Sequence, residues 1–133
     1  MTALRFRPNE PFETNRRLGE SAKRIVGTGA NQIPDMSFFP SLKNGNGYQG
    51  FPSGILFQYG TCPVVASLFT STIEINFPIP FPNTARAVVA LFSTEGPSER
   101  FVGYNIGLTN AIKVALTYVS PTANTISWLA IGY

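Results

Sequence analysis

Gly54-Ile55-Leu56-Phe57-Gln58-Tyr59-Gly60 is the stretch at which the chain changes character. Ile55, Phe57 and Tyr59 alternate with Leu56 and Gln58, the period of two that belongs to a half-buried strand, here expected to end at Gly60. The same period returns in Ile73, Ile75 and Phe77, which alternate with Thr72, Glu74 and Asn76. Ala87-Val88-Val89-Ala90-Leu91-Phe92 is an unbroken apolar run and predicts a strand covered on both faces. Further strands are predicted over Phe101–Leu108, Ala111–Val119 and Asn124–Tyr133, with a weaker one over Val64–Phe69. Turn residues separate them at Pro78 to Asn83, Thr94 to Arg100, Thr109-Asn110 and Ser120 to Ala123. Short strands at this spacing predict an all-β fold, a small antiparallel β-sandwich of six to eight strands over residues 54–133.

Composition sets further bounds. The chain has 133 residues, 44% hydrophobic and only 13% charged, against about 25% charged in ordinary domains. A lone 133-residue protomer with so few charges is poorly solvated, and its apolar run needs cover on both faces, so a homotrimer is expected. All of the formal charge of +3 comes from residues 1–24; residues 25–133 are neutral, with Lys43, Arg86, Arg100 and Lys113 against Asp35, Glu74, Glu95 and Glu99. A basic pI therefore says little about the folded body, and no nucleic-acid partner is expected. The single cysteine, Cys62, cannot form an intrachain disulfide. Met1 to Glu20 lacks an apolar signal-peptide core. The uncharged stretch Val114 to Tyr133 is broken by Thr117, Ser120, Pro121, Thr122, Asn124, Thr125 and Ser127, which argues against a membrane helix and against membrane insertion.

The flanks are less regular. Residues 1–26 form an N-terminal arm in which Pro8 and Pro11 block helix at the start, while Leu18, Ala22 and Ile25 permit a short helix weakened by Gly19. The arm is either a disordered tail or a docking peptide with Phe6, Arg7 and Phe12 as attachment residues. Residues 27–53 read as a connector packed on the domain, because Gly27-Thr28-Gly29-Ala30-Asn31 and Asn44-Gly45-Asn46-Gly47 give turns and Phe38, Phe39, Leu42 and Tyr48 are too apolar for a free linker. In Phe77-Pro78-Ile79-Pro80-Phe81-Pro82 the three prolines remove backbone donors from one side of an extended chain, which predicts protection of an exposed sheet edge.

Four blocks carry a resemblance. Gly47-Tyr48-Gln49-Gly50-Phe51-Pro52-Ser53-Gly54-Ile55-Leu56-Phe57-Gln58-Tyr59-Gly60 resembles the opening of a C-terminal domain found on phage tail fibres and phage-tail-like bacteriocins. Phe77-Pro78-Ile79-Pro80-Phe81-Pro82 resembles its second element, and Trp128-Leu129-Ala130-Ile131-Gly132-Tyr133 its closing one. Gly27 to Phe39 is similar to the stretch that precedes that domain. The blocks come in family order over residues 27–133. The resemblance implies a trimeric β-sandwich at a fibre tip that contacts a host receptor such as lipopolysaccharide, another surface glycan or an outer-membrane protein. It also implies a virion tail fibre made in the bacterial cytoplasm and acting outside the cell, with the arm attached to phage tail or baseplate proteins. Family members usually end long fibres, so the few residues before the first block fit a short fibre docked straight onto the tail, or a fragment. A structural baseplate or tail-plug protein without receptor binding is the alternative.

Catalytic chemistry finds little support. The chain has no histidine, which excludes histidine acid-base catalysis, serine triads and histidine metal sites. Cys62 has no histidine to activate it, and Glu95 and Glu99 flank a turn and do not read as a glycosidase pair. No catalytic residue, metal or cofactor is expected. The aromatics at strand spacing, among them Phe57, Tyr59, Phe77, Phe92, Phe101, Tyr104 and Trp128, read as core or subunit interface, with sugar stacking as the other use. If the strands run in simple up-and-down order, alternate loops share an end, and Gly60 to Ser71, Thr94 to Arg100 and Ser120 to Ala123 lie away from the tail. Thr94, Glu95, Ser98, Glu99 and Arg100 are then the candidate receptor-binding residues, Arg100 suiting a phosphate or carboxylate. A solvated turn without a ligand is the competing reading.

Overall fold

The computed structural model describes residues 19–96 and 99–133. The chain divides into two compact units, residues 1–35 and 36–133. In the first, the described residues form a 3-10 turn, Glu20–Lys23, and a parallel bridge between Val26 and Ile33. The short helix expected after Asn15 is, in its described part, this one turn following Gly19; the arm residues Phe6, Arg7 and Phe12 lie outside the described residues.

The second unit is all β, with two antiparallel sheets. The larger has five strands in the order β1 (Ser41–Leu42), β2 (Gly47–Gly50), β3 (Leu56–Val64), β8 (Asn124–Gly132) and β5 (Ala85–Phe92). The smaller has three, β4 (Ser67–Asn76), β7 (Lys113–Ser120) and β6 (Phe101–Tyr104). The inward residues are those the period of two selects. Leu56, Gln58, Cys62 and Val64 point in from β3, Ile126, Trp128 and Ala130 from β8, and Val114, Leu116 and Tyr118 from β7. The core therefore lies between the two sheets, as in other sandwiches.

Several expectations are corrected. β3 does not stop at Gly60 but runs on to Val64, and most of the predicted loop from Gly60 to Ser71 is strand, with only Val65 and Ala66 between β3 and β4, a two-residue link that crosses from one sheet to the other. Gly60 is a packing requirement, since a Cβ there would lie 2.8 Å from the Trp128 ring and collide with Asn46. The glycine- and asparagine-rich stretch does hold regular structure. Tyr48 pairs with Gln58 and Gly50 with Leu56, so β2 belongs to the main sheet. β6 is shorter than predicted, because the Asn105 side chain accepts from the N–H groups of Gly107 and Leu108 and turns the chain.

The proline segment is not a sheet edge. Residues 77–84 bridge the two sheets at one end of the sandwich. The N–H groups of Phe77, Ile79 and Phe81, which alternate with the prolines, are all satisfied, by Ile112 O, Gln58 Oε1 and Ala111 O at 2.9, 3.0 and 2.8 Å. Phe77 and Phe81 are buried edge to face, 4.9 Å apart. The alternation of donors and missing donors is real, but it closes the end of the sandwich instead of guarding a strand.

The connection order is also not up-and-down within one sheet. After β3 the chain crosses to the smaller sheet for β4, back for β5, over again for β6 and β7, and back for β8. Loop ends still alternate, because every strand pair is antiparallel.

Candidate functional site

Residues 77–84, the 105–112 turn and Tyr133 meet at one end: Asn83 and Thr84 donate to Tyr133 O, and Phe81 donates to Ala111 O. At that end the Arg86 guanidinium stacks on the Tyr133 ring, 5.1 Å from its centroid, and donates to its hydroxyl at 2.6 Å. The opposite end gathers the β3–β4 link, the β5–β6 loop and the β7–β8 turn. There the Tyr118 hydroxyl donates to Val65 O, Ser93 donates its N–H to Thr125 O, and Arg100 Nη2 donates to Thr122 Oγ1 at 2.8 Å.

The structure thus brings the loop holding Thr94, Glu95, Glu99 and Arg100 beside Thr122. Arg100 is not a free cation. Its other Nη donates to Gly96 O across the loop, and its Nε is buried with no partner among the described residues. Arg100 ties two loops of this end together, and its guanidinium is partly used up before any ligand arrives. Thr94 Oγ1 accepts from Gly96 N–H at 3.2 Å and serves the same turn. Glu95 and Glu99 are exposed, and Glu99 adopts a φ of 61°, uncommon for a residue with a Cβ. Ser98 lies outside the described residues.

The larger sheet presents a different surface. Register places Tyr59, Leu129 and Val89 in one outward row, Phe57, Ile131 and Ala87 in the next, and Thr61, Ser127 and Leu91 in a third. None of these residues is acidic or basic; the charged residue of β5, Arg86, is exposed beside the Ala85/Ala87 bulge and stacks on Tyr133. Val89 and Leu91 are 57% and 67% exposed, and Leu129, on a strand flanked on both sides, is still 38% exposed. The β5 run was expected to be covered on both faces. Within one protomer only Val88, Ala90 and Phe92 pack on the core, and the alternate residues face outward. The outward face of the smaller sheet is polar by comparison, with Lys113 and Glu74 paired at 2.6 Å.

Sequence reasoning missed Gln58. It is fully buried, and its amide holds the bridge in place by accepting from Ile79 N–H at 3.0 Å and donating to Ile79 O at 2.7 Å. The only sequence signal is a glutamine at an inward position of a strand whose inward neighbours are small or apolar. Cys62 is buried, and burial pushes its thiol pKa up from the ordinary 9.0. Its strand position leaves it a packing residue.

Comparison with known proteins supplies the family. The structure is similar to an N-truncated R1-type pyocin tail fibre, with a TM-score of 0.64, 19% identity, and 76% of this chain and 87% of that one covered. It is similar also to the C-terminal part of a Pseudomonas aeruginosa R2 pyocin fibre, with a TM-score of 0.64 and 16% identity over 100% of this chain and 38% of that one. At these identities the likeness shows the fold. An uncharacterized protein of Methanocaldococcus jannaschii is 28% identical over 120 residues, 85% of this chain and 80% of its own length. The family model for the C-terminal region of gp53-like tail fibre proteins matches residues 50–133, which takes in all but two of the strands and both ends of the sandwich. The chain belongs to the gp53-like C-terminal tail fibre family.

Proposed function

We propose that the protein is the host-binding tip of a phage or phage-tail-like fibre, and that it works as a non-enzymatic homotrimer. One observation carries this reading: the outward rows Tyr59-Leu129-Val89, Phe57-Ile131-Ala87 and Thr61-Ser127-Leu91 of β3, β8 and β5 hold no acidic or basic side chain, so this face can pack against a second copy of itself. Three like-charged copies can share such a face without electrostatic cost, and each half-exposed aliphatic side chain covered there contributes about 1 kcal/mol. Chains assembled this way project the same end in the same direction. The end formed by residues 65–66, 93–96, 99–100 and 121–123 then faces the host surface, and the proline end faces the tail. The arm, with Phe6, Arg7 and Phe12, is the element that attaches to tail or baseplate proteins. The receptor is a surface glycan, and the lack of histidine together with few carboxylates supports binding without turnover.

Pre-incubating host cells with purified protein and counting residual phage adsorption tests the reading. Blocked adsorption is the expected result. Unimpaired adsorption, with a folded trimer shown by light scattering, would leave a structural tail-plug role instead.

A further inference from the structure

The outward face of the smaller sheet contains a groove that self-association through the larger sheet leaves open. β7 is its floor, between β4 and β6. The β4–β7 register slips between Ser67 and Ser71, and this bulge is pinned by hydroxyl groups: Ser67 Oγ donates to Phe69 O at 2.7 Å, and Ser71 Oγ to Ser67 Oγ at 2.8 Å. The groove beside the bulge has a volume of about 270 Å³, and Thr70, Phe101, Gly103, Thr117 and Val119 shape it. Phe101 pairs with Val119 and Gly103 with Thr117, so all four stand on the same outward face. No charged side chain lines the groove.

Two features of this groove bear on a ligand. Phe101 is 70% exposed on a regular strand, as Leu68 and Phe69 of β4 are at 73% and 84%, and of the three it is the one that lines the groove. Gly103 occupies a strand interior, where glycine is unfavourable, yet neither its backbone nor its neighbours require it. Its φ is not in the left-handed region, and a Cβ would meet nothing closer than Thr117 Oγ1 at 3.8 Å. A glycine kept where a side chain would fit keeps space for something that approaches closely.

We infer that this groove binds a single uncharged sugar ring, stacked on Phe101 and seated over Gly103. The electron-rich face of an aromatic ring attracts the polarised C–H groups of a pyranose face. Thr70 supplies a hydroxyl; the Thr117 hydroxyl, which donates weakly to Gly103 O at 3.5 Å, keeps its acceptor side, and the absence of charge among the described lining residues favours a neutral ring over a phosphorylated or acidic one. The volume lies below the roughly 300–1,000 Å³ of pockets for larger ligands, which suits one ring of a polymer. Three grooves on one trimer add avidity to a weak single site. The inference rests on the fibre-tip reading and moves the glycan contact from the Arg100 loop to the neighbouring sheet face.

The test uses the full chain on an array of purified bacterial O-polysaccharides, neutral and acidic, with wild type, Phe101→Ala and Gly103→Val compared. Binding to one or more neutral polysaccharides is expected, with apparent affinity falling at least ten-fold in both variants. Valine favours strands, and the space at Gly103 is open, so that variant is expected to keep the wild-type mass and melting temperature. Gly103→Val binding within two-fold of wild type overturns the site, as does binding confined to acidic polysaccharides. A changed oligomeric mass in Gly103→Val assigns the glycine to subunit packing and overturns it too. If no polysaccharide binds but the protein still blocks phage adsorption, the groove is wrong and the fibre-tip reading stands. If it neither binds nor blocks, both fall.

Discussion

Replacing Gln58 by leucine tests whether the proline bridge is held by one side chain. Leucine is close to glutamine in size and apolar, so it fits the buried site without a large cavity. It cannot serve Ile79, whose N–H and C=O both bond to the Gln58 amide. These partners are backbone groups and cannot be removed, so the substitution leaves two polar groups unpaired at about 1–3 kcal/mol each. Burying a leucine recovers roughly 1–2 kcal/mol, which leaves a net loss of about 3 kcal/mol. For a domain near 100 residues this lowers the melting temperature by roughly 12–24 °C. The assay is thermal unfolding by circular dichroism at one fixed protomer concentration, because assembly makes the midpoint concentration-dependent. A Gln58→Leu protein melting within about 4 °C of wild type at equal oligomeric mass refutes the reasoning. Gln58→Glu gives a second readout with a definite sign. The protonated acid can copy both amide bonds, whereas the carboxylate faces the Ile79 carbonyl and is desolvated. Its folded pKa therefore rises above the unfolded value of about 4.3, so this variant is close to wild type below that pH and loses stability as pH rises through the folded value.

Four further outcomes are expected. If the proposed trimer forms through the larger sheet, Val89→Lys together with Leu91→Glu places charges on the outward face of β5 and gives a folded species of monomer mass, 14.5 kDa, by light scattering where the wild type gives three times that. Gly132→Ala puts a Cβ against the Thr84 carbonyl and 2.8 Å from the Phe81 ring, so that variant loses more than about 2 kcal/mol in a denaturant titration or fails to fold. Lys113→Ala removes an exposed ion pair with Glu74 and shifts stability by less than about 1 kcal/mol, an effect that shrinks further in salt. Cys62 resists Ellman's reagent at pH 8 in the native protein and reacts readily in urea; because folding raises its thiol pKa, the stability present below the ordinary 9.0 declines as pH rises through the folded value.

How far the fold was legible depends on which residues carried the period of two. β5, β7 and β8 are marked by large side chains at alternate positions, and their existence and rough extents follow from them. β2 is not, because Gly47 and Gly50 stand where a pattern would show. Each makes room for a neighbour: a Cβ on Gly47 would come 2.6 Å from the Tyr59 hydroxyl, and one on Gly50 would come 2.7 Å from Pro40. Glycine used for close approach reads, in a bare sequence, as glycine used for a turn. The outer half of β3 was hidden in the same way by Gly60 and also by Pro63. β2 pairs with β3 only as far as Tyr59 and the Asn46 side chain takes the Thr61 N–H at 3.0 Å, so at Pro63 that side of β3 has no partner strand and a residue without an N–H is tolerated.

The candidate site divides along the same line. Which loops share an end was legible, because it requires only that successive strands reverse, and crossings between sheets preserve that reversal. Arg100 was not, since beside Gly96 of its own loop it engages Thr122, which another loop brings to it from twenty-two residues away. The least legible feature is the one on which the proposed assembly rests. Val88, Val89, Ala90, Leu91 and Phe92 are chemically continuous, and nothing in them separates residues that pack on the core from residues that face outward. Register against β8 makes the separation: Val88, Ala90 and Phe92 stand opposite Ala130, Trp128 and Ile126 on the inside, and Val89 and Leu91 opposite Leu129 and Ser127 on the outside. An apolar run on a flanking strand of a small sandwich is thus two surfaces written in one stretch. On the proposed reading, the outer surface is apolar because it meets a second copy and not solvent.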